Sequence, residues 1–238
     1  MFTQRVSLTS QDARAINASK LHNIGAIAET ADGRTYRYTL AGGTSLAPGK
    51  LDVAATANAD ATNKTIARTV AAGATSIVFD AAGTIVADVY RDGFLTINDA
   101  TGEGISYAVS GHTGVTGAGE ITVQLAEPIV VGLTIDVSEG TLCQNPWSGA
   151  VISVADQLDM PVGVANQTIT NAYYGWIQTG GPCAVLADET LAVGEMLTIG
   201  SSVAGAVEEL DAVGEALVGV ALEAGVDTEY HLVSLQID

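Results

Sequence analysis

Residues 173–188 read Tyr173-Tyr174-Gly175-Trp176-Ile177-Gln178-Thr179-Gly180-Gly181-Pro182-Cys183-Ala184-Val185-Leu186-Ala187-Asp188. Two apolar runs flank Gly180-Gly181-Pro182. Aromatic and β-branched residues suit a pleated, half-buried surface, and Gly-Gly-Pro cannot continue a regular ladder. The stretch therefore predicts strand, tight turn, strand, with Gly180, Gly181 and Pro182 at the turn. Tyr173, Tyr174 and Trp176 form the densest aromatic cluster in a chain with only twelve aromatics. Tyr174 and Trp176 thus mark a packing centre, with Trp176 in the core.

On the C-terminal side, strands are expected at Met196–Ile199, Ala206–Glu208, Ala216–Leu222 and Tyr230–Ile237. On the N-terminal side they are expected at Val151–Val154 and Val162–Val164. Val193-Gly194-Glu195-Met196-Leu197 recurs as Val213-Gly214-Glu215-Ala216-Leu217, and Leu46-Ala47-Pro48-Gly49-Lys50-Leu51 echoes it. These read as one turn-into-strand solution reused; a solenoid needs more copies.

Further upstream, Thr65–Val70, Ser76–Phe79, Phe94–Asn98, Ile105–Val109, Ile121–Leu125 and Leu133–Val137 are candidate strands about ten residues apart, with turn residues between them. That spacing indicates an antiparallel sandwich or barrel. Asp32-Gly33, between Ala26–Thr30 and Arg34–Leu40, predicts a hairpin with a type I′ turn. Neither face of its second strand is plainly apolar, which suits a sheet edge or a partner contact. Residues 54–64 are small and polar and read as a surface linker. Residues 1–23 are polar and basic, carrying Arg5, Arg14 and Lys20. A short helix over Asp12–Leu21 and an extended arm are both compatible with them.

The expected fold class is all-β: antiparallel β-barrel or sandwich sections with an extended N-terminal arm at 1–23. Residues 24–64 hold the hairpin and linker and join a C-terminal barrel at 145–238. Residues 65–144 form a middle β domain inserted between them. Two sequential independent domains is the alternative.

The 238 residues suffice for one large β core or two smaller ones, and 47% apolar with 15% charged is a globular composition. The charge is uneven. All nine Lys and Arg lie at or before Arg91, where they meet seven acids; the remaining 20 acids lie in 92–238 with no Lys or Arg. Such a surface repels nucleic acid and anionic membrane and attracts a basic protein surface, or serves solubility alone. The apolar runs are too short to span a bilayer. No signal peptide is expected, so Cys143 and Cys183 read as two buried free thiols made in a reducing cytosol. The sequons at Asn17, Asn63 and Asn166 carry no weight without a secretory route.

No catalytic constellation stands out. His22, His112 and His231 are scattered and make no zinc pattern, and His112 reads as a solvated loop histidine. There is no nucleophile elbow, no phosphate-binding loop and no calcium loop. Paired acids such as Asp188-Glu189 are unremarkable in an acidic chain. No catalytic, cofactor-binding or metal-binding residues are expected, and no cofactor.

The run Tyr174 to Ala187 resembles a motif of head decoration (capsid cement) proteins of tailed bacteriophages. Tyr36-Arg37-Tyr38 leading to Leu46–Leu51 is similar to that family's N-terminal part. Gly102–Tyr107 with Gly111-His112, then Leu125–Val131, resembles its middle, and Gly219–Gly225 its closing strands. The resemblance implies a virion structural protein on the outer surface of the capsid, made in the bacterial host cytoplasm. It would bind between major capsid protein subunits or capsomers. It implies a homo-oligomer, trimer favoured over dimer, and no nucleic acid or membrane partner. Arg5, Arg14, Lys20, Arg34, Tyr36, Arg37 and Tyr38 are the residues expected to touch the capsid or a neighbouring subunit. A tail or fibre-base structural protein is one alternative. Another is a non-catalytic carbohydrate-binding module, which needs Trp147 and Tyr173 or Tyr174 exposed on one face.

Overall fold

The computed structural model describes residues 5–238. It is all-β, and its chain divides into two compact units. One comprises the chain up to Ala55 with Pro146–Asp238, the other Thr56–Asn145. Strands β1 (Val6–Leu8), β2 (Ile27–Thr30), β3 (Thr35–Ala41) and β4 (Leu51–Val53) come first. The Thr56–Asn145 unit contributes β5 (Lys64–Thr65), β6 (Ser76–Ala81), β7 (Phe94–Asp99), β8 (Ser106–His112), β9 (Gly119–Leu125) and β10 (Glu139–Cys143). The other unit resumes with β11 (Ser148–Ile152), β12 (Pro161–Ala165), β13 (Tyr174–Ala187) and β14 (Met196–Ile199). It ends with β15 (Ala206–Glu209), β16 (Gly219–Ala221) and β17 (Tyr230–Gln236).

The Thr56–Asn145 unit is an antiparallel sheet in the order β5-β10-β7-β8-β9-β6. A bridge between Ile66 and Phe79 brings its two ends together, so the sheet is a nearly closed barrel. Side-chain alternation fills the interior: Leu95 and Ile97 from β7, Tyr107 and Val109 from β8, Ile121 and Val123 from β9. Residues 56–64 are part of this unit and not a linker to the other. Asn58 accepts the Asp60 N–H at 2.9 Å to start a 3-10 turn, and Ala61 is fully buried in the core. The strand expected at Leu133–Val137 is a loop with Asp136 in the left-handed region. The ladder is carried instead by β10, whose small and polar residues gave little alternation to read.

In the larger unit two rings of five strands share β13. One ring runs β3-β11-β4-β12-β13 and is closed by the β3–β13 pairing. The other runs β13-β15-β14-β16-β17 and is closed by the β13–β17 pairing. The second ring packs Cys183, Val185, Leu197, Ile199, Val207 and Val233 together, and Leu51, Val53 and Val164 from the first ring join that cluster. On the first ring, Tyr36, Tyr38 and Trp176 form a cluster covered by Leu8, Ala13 and Ile24.

Within the described residues, the N-terminal segment therefore lies on its own body and does not project as an arm. β1 pairs in parallel with β2, and Asp12–Arg14 makes one 3-10 turn in place of a longer helix. Its apolar side chains are few but spaced to reach one aromatic cluster. The Asp32-Gly33 hairpin forms, with a different turn from the one expected. Only Gly33 has positive φ, and its N–H donates to Thr30 O at 2.9 Å. That is a three-residue loop with glycine at the left-handed position. The reused turn also forms: Lys50 N–H donates to Ala47 O, and Glu195 N–H to Ala192 O, both at 3.3 Å, each after a left-handed glycine.

Candidate binding surface

The predicted turn at Gly180-Gly181-Pro182 is not a turn. β13 runs unbroken through it for 14 residues and changes partners there. Tyr174 to Gly180 pair with β3, and Gly180 to Leu186 pair with β17. Opposite β3 the register slips by one residue between Gln178 and Gly180, a bulge that bends the strand. Gly181, at φ +80, supplies the backbone angle that the bend requires.

Pro182 is tolerated because of its position. Thr179 O accepts from Ile237 N–H, and Ala187 N–H donates to Glu229 O, so odd-numbered residues of β13 bond to β17. Pro182 falls at an even position, where its missing N–H would point away from β17. Buried Gln178 fixes the bend from inside. Its Nε2 lies 3.1, 3.2 and 2.9 Å from the carbonyl oxygens of Gly180, Gly181 and Pro182. Its Oε1 accepts from Asn166 Nδ2 at 3.0 Å, and the same Asn166 donates to the Tyr36 hydroxyl at 3.3 Å.

At the change of partners one edge of β13 is left open. β3 ends opposite Gly180 and β15 begins opposite Leu186. Between them lies a cleft of about 330 Å³. Cys183, Gln178 and Asn166 line its inner part, Pro182, Ala184 and Leu232 its apolar side, and Arg14 and Arg34 its rim. Burial pushes the Cys183 thiol up to about 12, with Arg34 pulling weakly the other way, so it is a protonated thiol and no nucleophile. Arg34 Nε donates to Asp32 at 2.9 Å and its Nη2 to Ser10 Oγ at 3.2 Å. That hydrogen bond from Arg34, with a second from Thr30, holds the Asp32 carboxyl down at about 2. Arg14 is exposed and has no ion-pair partner among the described residues.

An apolar face continues outward from the cleft. On β17, Tyr230 and Leu232 are 53% and 41% exposed; Leu222, just past β16, and Met196, on β14, are 42% and 55% exposed. A larger recess of about 440 Å³, between Ser7–Ser10 and Thr30–Asp32, offers hydroxyls and a carboxylate with no cation in its lining.

The structure thus sorts the expected contact residues. Arg14 and Arg34 meet at the cleft with Pro182. Arg5 is exposed and paired with Glu29 at 2.9 Å. Lys20 is half-buried outside the cleft lining. Tyr36 and Tyr38 are 0% and 1% exposed and belong to the core, because β3 is an interior strand with neighbours on both edges. Their hydroxyls are satisfied within the chain, Tyr38 accepting from Leu21 N–H at 3.1 Å. Arg37 grips Asp238 through Nε at 2.6 Å and Nη2 at 2.7 Å, and lies 4.5 Å over the Trp147 ring. Trp147 donates its indole N–H to Val162 O at 2.9 Å, so it is not a bare platform. Trp176 is core, and Tyr174 stacks on Tyr38 with centroids 6.0 Å apart.

Two further expectations change. Cys143 is exposed, while Cys183 is buried. His112 is no solvated loop residue: it is 6% exposed, its Nε2 accepts the Tyr90 N–H at 2.9 Å, and its Nδ1 lies 2.8 Å from Thr113 O. Sequence reasoning missed Asn166, Gln178 and Ala184. A glutamine between Ile177 and Thr179 in a buried run was the available signal, since a buried amide needs partners. Among the described residues no group of three or more His, Cys, Asp or Glu side chains is placed to hold a metal ion. No protein-family model, curated protein or solved structure matches the chain.

Proposed function

We propose that this protein is a virion structural protein that decorates and stabilises the outer surface of a bacteriophage capsid. It binds between major capsid protein subunits or capsomers, as a homo-oligomer, and does no chemistry of its own. The observation that carries the reading is the exposed apolar face of β17 and its neighbours, running into a cleft rimmed by Arg14 and Arg34. Apolar area beside a few oriented charges is what a protein partner recognises. The one reactive side chain in the cleft, Cys183, is held protonated, which suits binding and not catalysis. The run Tyr174 to Ala187, whose sequence resembles a capsid cement motif, is β13, which organises the same cleft. The 20 acids of residues 92–238 suit a shell exterior and disfavour DNA as a partner.

The test is co-sedimentation of the purified protein with undecorated heads of a phage that encodes it. Decoration predicts saturable binding at a fixed copy number per head and a rise in the temperature at which heads release DNA. Absence of binding to heads, with the protein folded, would overturn the reading.

A further inference from the structure

The open edge of β13 has a chemistry of its own. Even-numbered residues beyond the bulge direct their backbone groups away from β17, as the Leu186 N–H shows by donating to Gly49 O at 2.9 Å. Ala184 is the even residue before it, and it lines the cleft. Its N–H is therefore directed to the side where β3 has ended and β15 has not begun. Arg14 and Arg34 stand at the rim of the same cleft, and Asn166 and Gln178, whose amides are engaged inside the chain, form its neutral inner wall.

Charge makes this cleft unusual in the molecule. The chain is net −18, and Arg5, Arg34 and Arg37 each have a carboxylate partner, whereas exposed Arg14 has no ion-pair partner among the described residues. Unpaired Arg14, beside an Arg34 already held by Asp32, favours an anion at the cleft, and a backbone N–H adds a directional donor for a carboxylate or a carbonyl oxygen. The apolar side, Pro182, Ala184 and Leu232, suits apolar side chains of a segment whose alternate residues are acidic.

We propose that this cleft docks an extended acidic segment of a partner protein, with apolar and acidic residues alternating. The segment lies extended in the cleft, accepting from the Ala184 N–H, with a carboxylate on Arg14 at the rim beside Arg34 and its apolar residues on the Pro182–Leu232 side. The proposal deepens the decoration reading by naming what the capsid would present at this site, and it rests on that reading only for the partner's identity.

The test is amide and arginine-Nε NMR on the full-length ¹⁵N-labelled protein. The probes are a capped Glu-Val-Glu-Val-Glu peptide, its Lys-Val-Lys-Val-Lys counterpart, and sodium phosphate or acetate alone. The acidic peptide is expected to shift the amides of Ala184 and Gly49 and the Nε signals of Arg14 and Arg34. Arg14→Glu, at an exposed position, should weaken it at least tenfold, and Arg5→Glu, outside the cleft, should leave it unchanged. Equal shifts from the lysine peptide, or from phosphate or acetate at the same concentration, would overturn a peptide dock. So would unperturbed Ala184, or an Arg14→Glu protein that binds the peptide as before. Peptide binding without binding to heads would retain this site and remove the decoration reading; binding to heads without peptide binding would do the reverse.

Discussion

The two units solve the same problem, closing a β-sheet on itself, with different amounts of polar chemistry. The Thr56–Asn145 barrel is built from one continuous stretch around an apolar core, with His112 and Ser138 buried and hydrogen-bonded to the backbone groups of Tyr90 and Thr101. The larger unit is built from two separated stretches, and its two rings must share one strand. That sharing requires a bulge, a left-handed glycine, a proline at a position without a ladder bond, and a buried glutamine that bonds three carbonyls. Away from the shared strand, Asp52 on β4 and the Thr198 hydroxyl on β14 are buried without hydrogen-bond partners. The lesson is that a barrel with its own strands places its buried polar groups in its loops and strand ends, whereas a shared strand needs them at the junction itself. The same junction is where the binding cleft opens.

The largest expected effect comes from the cores. Trp176→Ala and Phe79→Ala should each cost about 3–5 kcal/mol in denaturant unfolding. Each should act on the transition of its own unit, followed by probes placed in that unit. If Trp176→Ala left part of the larger unit with an unshifted transition, the two rings would not be one cooperative body.

Next is the junction. Gln178→Leu removes the amide donor to the carbonyls of Gly180, Gly181 and Pro182, of which Gly180 is buried, and should cost about 1–3 kcal/mol. Gly181→Ala should cost about 1–2 kcal/mol from the left-handed angle alone, since a Cβ there meets nothing closer than Arg34 at 3.4 Å. A neutral Gln178→Leu variant would show that the bend holds without its amide.

Asp52 gives a dependence on pH. It is fully buried on β4, beside Ile152 of β11 and Gly163 of β12. Burial pushes its carboxyl well above the usual range, against a weak pull from the Ala165 N–H that falls outside bonding geometry. A raised folded value means that stability is greatest below the unfolded value near 3.8 and falls as pH rises towards the folded value. The slope is at most about 1.4 kcal/mol per pH unit. Asp52→Asn should flatten that slope and raise stability at neutral pH, measured by urea unfolding across pH. An unchanged slope would mean that Asp52 is ionised in the fold.

The smallest effect is at the C-terminus. Burial raises the Asp238 carboxyl, but hydrogen bonds from Arg37 and Thr179 outweigh it, so the value is lowered. Its contribution is therefore present above the ordinary value of 3.8 and lost as pH falls through the folded one, opposite in sign to Asp52. Asp238→Ala should cost about 1 kcal/mol or less at neutral pH, because the pair is about one-fifth exposed.

The difference between the units also explains what could be read from the sequence. β6, β7 and β9 were legible from alternation bounded by glycine turns, because the Thr56–Asn145 barrel follows local rules. In the larger unit most strands after Val151 were found within a few residues. The strand that joins the two rings was misread, because Gly180-Gly181-Pro182 obeys turn chemistry locally and only the pairing with β17 keeps it extended. Tyr36 and Tyr38 looked like surface residues for the same reason: the partners that bury them, Leu8, Ile24 and Trp176, are distant in sequence. Arg14 and Arg34 were singled out by charge, but that they share one cleft follows from the 3-10 turn and the hairpin both meeting β13.

The most direct test of the shared strand is native-state hydrogen exchange on the amides of β13. If one strand ties two rings into a single body, Ile177 on the first ring and Val185 on the second exchange with the same opening free energy. Both should respond equally to sub-denaturing urea. Different opening free energies for Ile177 and Val185, with the Val185 ring staying closed while the Ile177 ring opens, would contradict it.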